Sequence, residues 1–260
     1  MIGTQKCGTT TIDGILSEFK EVSHGNRKEH HYFDNENFEY IKYINQFESC
    51  DTTQILRSYD ATPNYTNPSS KSPEKIKEFY DHYGIPLSKL IFIAIVCPNY
   101  HRIPSAYYHN LKYHKLDENF NNIPITDKNL QFNDWFTWIL EHLDQDKDTI
   151  FKRGFYDQVF EKYFEIFSHT TFVIIDNTYA FEHEQEVGDF LASELILSKQ
   201  TIPNIHKNSG KKEKEELTES NSAQLQSFYR EHERNFFDIV MKNKNVRIFP
   251  REGFMNKWDI

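Results

Sequence analysis

The sequence runs to 260 residues, with 30 Lys and Arg against 39 Asp and Glu and a formal net charge of −9 at pH 7. That balance argues against a general nucleic-acid binder, and no run of about eighteen apolar residues offers a membrane span. The apolar fraction is a modest 38%, yet 22 Phe and 15 Tyr supply ring surface for one substantial core, so a single domain over 1–260 is expected. Cys7, Cys50 and Cys97 show no metal-ligand spacing and cannot all pair with one another, so no disulfide framework is expected.

The chain opens on Gly3-Thr4-Gln5-Lys6-Cys7-Gly8-Thr9-Thr10, followed by Thr11 and by Ile12, Ile15 and Leu16 at helical spacing. A strand-loop-helix junction of this kind aims backbone N–H groups and the positive end of a helix dipole at one point, which suits a phosphate. A Walker A loop sets its lysine directly after the second glycine. Here Thr9 stands in that place and the loop's lysine is Lys6, in mid-loop, where an ammonium would face the bridging oxygen of a terminal group. Only Met1 and Ile2 precede the loop, so the first strand reads as truncated and a preceding anchor and stem are expected.

Arg27-Lys28-Glu29-His30-His31-Tyr32-Phe33-Asp34 comes next. In an extended segment Glu29 and His31 point to one face, and a carboxylate beside an imidazole can take a proton from an acceptor hydroxyl. Thr62-Pro63, inside Tyr59-Asp60-Ala61-Thr62-Pro63-Asn64-Tyr65, reads as an extended or turn dipeptide. From Ser72 to Gly84 a capping serine, a proline in the first turn, apolar residues at 76, 79, 80 and 83 and a closing glycine predict a helix. Residues 89–96 are apolar without alternation, as a strand buried in a parallel sheet requires.

Beyond that strand the chain carries Arg102, Ser105 and Tyr107, and Ser105 near a helix start can donate to a phosphate. Residues 110–132 are polar and Asn-rich and read as an insertion loop. A helix with core-filling aromatics starts near 133, and 154–167 is strongly amphipathic. A second buried strand, 171–176, ends in Asp176, which serves either as a Walker B-like metal ligand or, as the favoured reading, as a structural acid. Lys207, Ser209, Gly210, Lys211 and Lys212 form the locally basic, glycine-containing loop, and a final helix over roughly 222–241 turns Leu225, Phe228, Tyr229, Phe236, Ile239 and Val240 to one face. Buried strands alternating with amphipathic helices predict an α/β, three-layer P-loop-like fold with a central parallel sheet and ligand at the strand C-termini.

These motifs together resemble the sulfotransferase superfamily, nearest to its heparan sulfate and carbohydrate sulfotransferases. Gly3 to Thr10 matches G-x-x-K-x-G-T-T, and Lys28, Glu29, His31, Phe33 and Asp34 match K-E-x-H-F-F-D. Asp60, Thr62, Pro63 and Tyr65, the interval Arg102-x-x-Ser105-x-Tyr107, and the helix opening at Gly154 are looser matches. The resemblance spans nearly the whole chain in order. It implies 3′-phosphoadenosine 5′-phosphosulfate as sulfuryl donor, no metal, and a hydroxyl or amine acceptor, expected to be a glycan. It puts the catalytic base at Glu29 with His31 in support and Lys6 on the leaving oxygen. Gly3, Thr4, Gln5, Lys6, Cys7, Gly8, Thr9 and Thr10 would cradle the 5′-phosphate. Arg102 and Ser105 would hold the 3′-phosphate, and Lys207, Ser209, Gly210, Lys211 and Lys212 would close the donor site. Lys28, Asp34, Asp60 and Thr62 would contact substrate.

Two departures stand out. Ala61 occupies a place where several glycan-modifying members carry a lysine, and Val96 or Cys97 stands where the family writes an arginine that grips the 3′-phosphate. A P-loop kinase and a catalytically silent relative remain as alternatives. With an anchor ahead of Met1 the compartment implied is the Golgi lumen, and otherwise the cytoplasm.

Overall fold

A computed structural model describes residues 1–47, 53–112, 132–141, 150–205 and 217–258. In chain order the elements are α1 (Thr9–Ser17), β1 (Val22–Ser23), α2 (Tyr40–Ile44), β2 (Arg57–Ser58), α3 (Ser72–His82), β3 (Ile91–Val96), α4 (Asn99–Lys112), α5 (Phe132–Glu141), α6 (Tyr156–Ile166), β4 (Thr171–Asp176), α7 (Asn177–Ala180), α8 (Glu184–Leu195), α9 (Glu219–Lys242) and β5 (Val246–Phe249). Among the described residues no helix is long and apolar enough to cross a membrane.

The central sheet is parallel throughout, in the order β3-β4-β5, with Ile91 opposite Thr171 and Phe172 opposite Val246. Residues 2–4 extend it on the far side of β3. Ile2 N–H donates to Ile93 O at 2.9 Å and Thr4 N–H to Ile95 O at 2.8 Å. The leading strand, expected to be truncated, is therefore represented by this short pairing, which delivers the chain straight into the glycine loop. A separate parallel pair joins β1 to β2 through Val22–Arg57 and Ser23–Ser58.

Successive side chains of a strand face opposite sides, and both sides of this sheet are covered. Phe92, Ala94 and Val96 meet Tyr156, Phe160 and Tyr163 of α6, Phe236 and Val240 of α9, and Ile76 and Phe79 of α3. Ile93 and Ile95 pack with Ile12, Ile15 and Leu16 of α1 and Val187, Leu191 and Leu195 of α8. This is the three-layer α/β arrangement expected. A third apolar cluster joins Ile103 and Tyr107 of α4, Trp135 and Phe136 of α5, and Leu225 and Tyr229 of α9. Each such large side chain, fully buried, contributes roughly 1.5–3 kcal/mol. The aromatics of α5 thus fill core, as expected.

Ser72 is the first residue of α3 rather than its cap, and its hydroxyl instead donates to Phe33 O at 3.1 Å. That bond ties α3 to the segment carrying Glu29 and His31. Strand β5 was not foreseen, because four residues with Arg247 among apolar neighbours give too short a pattern to separate from a loop.

Candidate functional site

The glycine loop leaves the sheet beside β3 and turns into α1. Gly8 caps α1 at φ 107°, a left-handed conformation in which a side chain is strained, and a Cβ there would lie 2.5 Å from the Phe181 ring. At Gly3 a Cβ would lie 2.4 Å from Thr66 Oγ1. Both glycines are thus required by backbone shape and close packing. Thr4 Oγ1 donates to Ile95 O at 2.9 Å, and Asn177 Nδ2 donates to Cys7 O at 2.6 Å, so the loop is pinned to the ends of β3 and β4. The first bond of α1 runs from Thr11 N–H to Gly8 O at 2.9 Å. The amides of Thr9 and Thr10 precede it, and a helix start gives such groups no intrahelical acceptor. They present the positive end of α1 to an anion.

The Lys28 to Asp34 segment lies beside this helix start. Lys28 Nζ donates to Thr10 Oγ1 at 3.0 Å and to Glu29 Oε1 at 3.1 Å. Glu29 Oε2 sits 3.4 Å from His31 Nε2, His31 Nδ1 meets Asp34 Oδ2 at 2.8 Å, and Asn64 Nδ2 donates to that same oxygen at 2.7 Å. Glu29 and His31 do come together, though through a turn with His31 at φ 55° and not in the extended segment expected. One polar chain therefore runs from Thr10 through Lys28, Glu29, His31 and Asp34 to Asn64.

Electrostatics follow from that chain. Hydrogen bonding from His31, helped by Lys28, holds the Glu29 carboxyl below the usual carboxylate range against the opposing effect of burial. His31 is pushed up to about 9, chiefly by its hydrogen bond to Asp34 and then by Glu29. Burial acts to raise Asp34, but the His31 and Asn64 hydrogen bonds outweigh it and hold its carboxyl low. At neutral pH Glu29 is a carboxylate between two cations, and His31 is an imidazolium that orients it and does not itself accept a proton.

Asp60 and Thr62, expected to touch substrate, are buried at 8% and 0% exposure. Asp60 Oδ1 accepts from Thr62 Oγ1 at 2.6 Å and from Thr62 N–H at 3.1 Å, and Oδ2 accepts from Tyr65 Oη at 2.5 Å. Thr62 Oγ1 in turn accepts from His31 N–H at 3.1 Å, while Ala61 N–H donates to Lys28 O at 2.9 Å. With their oxygens filled by internal donors, these residues clamp the 28–34 segment in place and leave substrate contact to others. Asn64 was not singled out from sequence, since one Asn after a proline looks like turn chemistry.

The corner after β3 differs from expectation. Arg102 has no exposed surface; its Nε donates to Asn99 Oδ1 at 2.8 Å and its Nη2 to Ile150 O at 2.5 Å. Its Nη1 has no hydrogen-bond partner among the described residues. The guanidinium is directed into the core between α4, Gly154 and α9, where a Cβ on Gly154 would lie 2.8 Å from Nη2. As arranged, Arg102 does not reach a surface anion, and Ser105, half-buried in α4, is the more open of the two residues. Glu233 of α9 completes this corner, its Oε1 accepting both the N–H and the side-chain amide of Asn99 at 2.9 Å. Burial pushes the Glu233 carboxyl up to about 7. Lys207, Ser209, Gly210, Lys211 and Lys212 lie outside the described residues.

Two further findings concern the strand ends. Cys7 and Cys97 form a disulfide, contrary to the expectation from cysteine count, because the fold sets their Cα atoms 5.3 Å apart across 90 residues of sequence. Asp176 accepts from four donors: Thr178 N–H and Oγ1, Met255 N–H at 2.9 Å and Trp258 Nε1 at 3.2 Å. It caps α7 and anchors residues 254–258 beneath the sheet, which is the structural reading of that acid. Among the described residues no group of His, Cys, Asp or Glu is arranged to hold a metal ion.

No protein-family profile and no curated protein sequence matches the chain. A match comes from solved structures: the crystal structure of a sulfotransferase from Alicyclobacillus acidocaldarius superposes with a TM-score of 0.67 over 93% of this chain and 94% of that one, at 16% sequence identity. At that identity the likeness is one of fold, and the chain shares the P-loop-like α/β fold of that sulfotransferase.

Proposed function

We propose that this protein is a sulfotransferase that moves a sulfuryl group from 3′-phosphoadenosine 5′-phosphosulfate to a hydroxyl or amine of a carbohydrate acceptor. The observation that carries the reading is the Lys28 bridge, which sets the Glu29 carboxylate beside the anion-binding start of α1. The donor supplies the activated sulfuryl group. The amides of Thr9 and Thr10, with the Thr10 hydroxyl, take its 5′-phosphate. Lys6 stabilises negative charge on the phosphate oxygen as it leaves. Glu29 accepts the acceptor's proton as the new bond to sulfur forms, and His31, held by Asp34 and Asn64, fixes the carboxylate's direction. The 3′-phosphate falls to Ser105 and the 207–212 loop rather than to Arg102.

Thermal shift separates this reading from a magnesium-dependent kinase. Adenosine 3′,5′-bisphosphate should raise the melting temperature and ATP with Mg²⁺ should not; stabilisation by ATP alone would overturn the proposal. The engagement of Asp176 by four internal donors already weighs against a metal-holding role. A silent nucleotide-binding protein is favoured by the inward turn of Arg102 alone. Transfer of labelled sulfate across a panel of glycans, sterols, phenols and peptides identifies the acceptor; no transfer to any of them, with nucleotide binding intact, would favour the silent form.

A further inference from the structure

The Cys7–Cys97 bond joins the middle of the glycine loop to the residue after β3, and both cysteines are buried, at 0% and 1% exposure. Both ends are held, and on the loop side Asn177 Nδ2 donates to Cys7 O at 2.6 Å while Tyr156 Oη lies 3.4 Å from Cys7 Sγ. Cys97 follows a strand paired along all six of its residues with β4, and its carbonyl accepts from Tyr156 Oη at 2.9 Å. Cys7 sits between Lys6 and Gly8, both in left-handed conformations at φ 69° and 107°, in a turn whose own short-range bond is Cys7 N–H to Thr4 O at 3.2 Å. The bond therefore fastens a loop of unusual backbone shape to a rigid strand end. Nearby, the guanidinium of Arg102 faces the core and Val96 and Cys97 carry no charge, so none of these three positions, where a cation for the 3′-phosphate was expected, offers one to a ligand. Where contacts to an anion are fewer, a larger share of its affinity rests on the loop being ordered before the ligand arrives.

We propose that the Cys7–Cys97 disulfide is the positioning element of the 5′-phosphate loop, and that its reduction by a dithiol weakens nucleotide binding. The inference rests on the proposed function. In the exchange, one thiolate of the dithiol attacks a sulfur of the bond and releases the other cysteine as a thiolate. The second thiol then closes on the mixed disulfide. Two electrons pass to the protein, two cysteine thiols form, and the reductant leaves as a cyclic disulfide. With its sulfurs buried, the bond is open to attack only when the loop lifts, so a nucleotide seated in the loop slows the reduction.

The test is calorimetric titration of the full chain carrying Cys50→Ser, which removes the third thiol. Oxidised protein, protein reduced with dithiothreitol, and the Cys7→Ser/Cys97→Ser variant are each titrated with adenosine 3′,5′-bisphosphate, 5′-AMP and 3′-AMP. Breaking the bond is expected to weaken the bisphosphate and 5′-AMP by about tenfold or more and to leave 3′-AMP unchanged. Re-oxidation with oxidised glutathione is expected to restore the first two. A general loosening of the fold would weaken all three ligands alike and would overturn the proposal. Equal affinities before and after reduction would sink it as well, as would alkylation of both thiols in native, unreduced protein. If near-UV circular dichroism shows the serine variant unfolded, Cys7→Ala/Cys97→Val, which preserves apolar packing, takes its place under the same criteria. Oxidised protein that binds none of the nucleotides overturns the functional reading and this inference together, whereas binding that ignores redox state overturns the inference alone.

Discussion

The Lys28 to Asp34 segment and the corner from Cys97 to Ser105 both carry motif matches, yet they present their side chains in opposite ways. In the first, Glu29 and His31 project together toward the start of α1, at 36% and 51% side-chain exposure. In the second, Arg102 is turned wholly inward. The difference lies in how spacing becomes direction. The 28–34 segment is an irregular turn with His31 at φ 55°, and its direction is set from behind by the Asp60–Thr62–Tyr65 cluster. On a helix, one residue of slippage rotates a side chain by about 100°. Arg102 stands four residues after Pro98, where the resembling pattern has three, and that turn carries its guanidinium to the Asn99–Glu233 side of α4. A motif in a turn clamped by a buried polar cluster keeps its direction, whereas one on a helix rotates with each residue of slippage.

The largest expected effect tests the outward half of this comparison. Glu29→Gln keeps the carboxamide within reach of Lys28 and His31 but cannot accept a proton. Sulfate transfer should fall by about 10²–10⁴-fold, the usual range for a general base, while the dissociation constant of adenosine 3′,5′-bisphosphate stays within about twofold. A retained rate would remove Glu29 from the reaction and leave the polar chain as scaffolding.

The inward half predicts a loss of another kind. Arg102→Met should lower folding stability by about 3–5 kcal/mol, because Asn99, Ile150 O and the buried Glu233 lose a cationic neighbour together. Nucleotide affinity, read by calorimetry on the folded fraction below the transition, should change by less than about threefold. A tenfold loss of affinity with unchanged urea denaturation would mean that the guanidinium swings out to the ligand, and the contrast between the two regions would collapse.

The His31 charge gives a third effect, of a few-fold. Its folded-state value lies near 9, above that of an unfolded histidine. Its contribution to stability is therefore fully present below the unfolded value and is lost as pH rises through about 9. Transfer should follow the same alkaline limb, falling several-fold above pH 9 as the imidazole loses the proton that binds it to Glu29 and Asp34. His31→Asn should lower the plateau by a similar factor and abolish the limb. An unaltered limb in that variant would assign the alkaline titration to another group.

Much of the scaffold was legible because its signals are repetitive. Unbroken apolar runs at 91–96 and 171–176 mark buried strands, and the apolar stripes on α3, α6 and α9 repeat a helical period several times. Glycine spacing at 3 and 8 marked the turn into α1 for the same reason, since local backbone geometry decides it, whereas Glu29 and His31 meet through a turn that alternation does not describe. What escaped depends on contacts between distant residues. Cys7 meets Cys97 only once the loop lies against β3, and Asp176 finds Met255 and Trp258 only when the last residues tuck under the sheet. Asp60 and Thr62 read equally well as substrate contacts or as a buried clamp, because sequence carries residue type but not exposure.

The smallest expected effect probes how far the clamped 28–34 region extends behind its reactive end. Asn64 donates to the Asp34 oxygen that also meets His31, so Asn64→Ala removes one neutral-to-charged hydrogen bond two steps from Glu29. Such a bond is worth about 1.5 kcal/mol at a charged acceptor, and part of that loss passes to His31. Transfer should drop by about two- to fivefold and nucleotide affinity should not move. The direction of the accompanying pH change decides between two roles for Asn64. Without the amide, His31 no longer shares Asp34 Oδ2, and the carboxylate, whose side chain is 6% exposed, pairs with the imidazolium more strongly, so the alkaline limb should shift above that of the unmodified protein. A downward shift would mean that Asn64 holds the carboxylate in place for His31. A loss as large as that of Glu29→Gln would instead place the Asn64 amide on the acceptor itself.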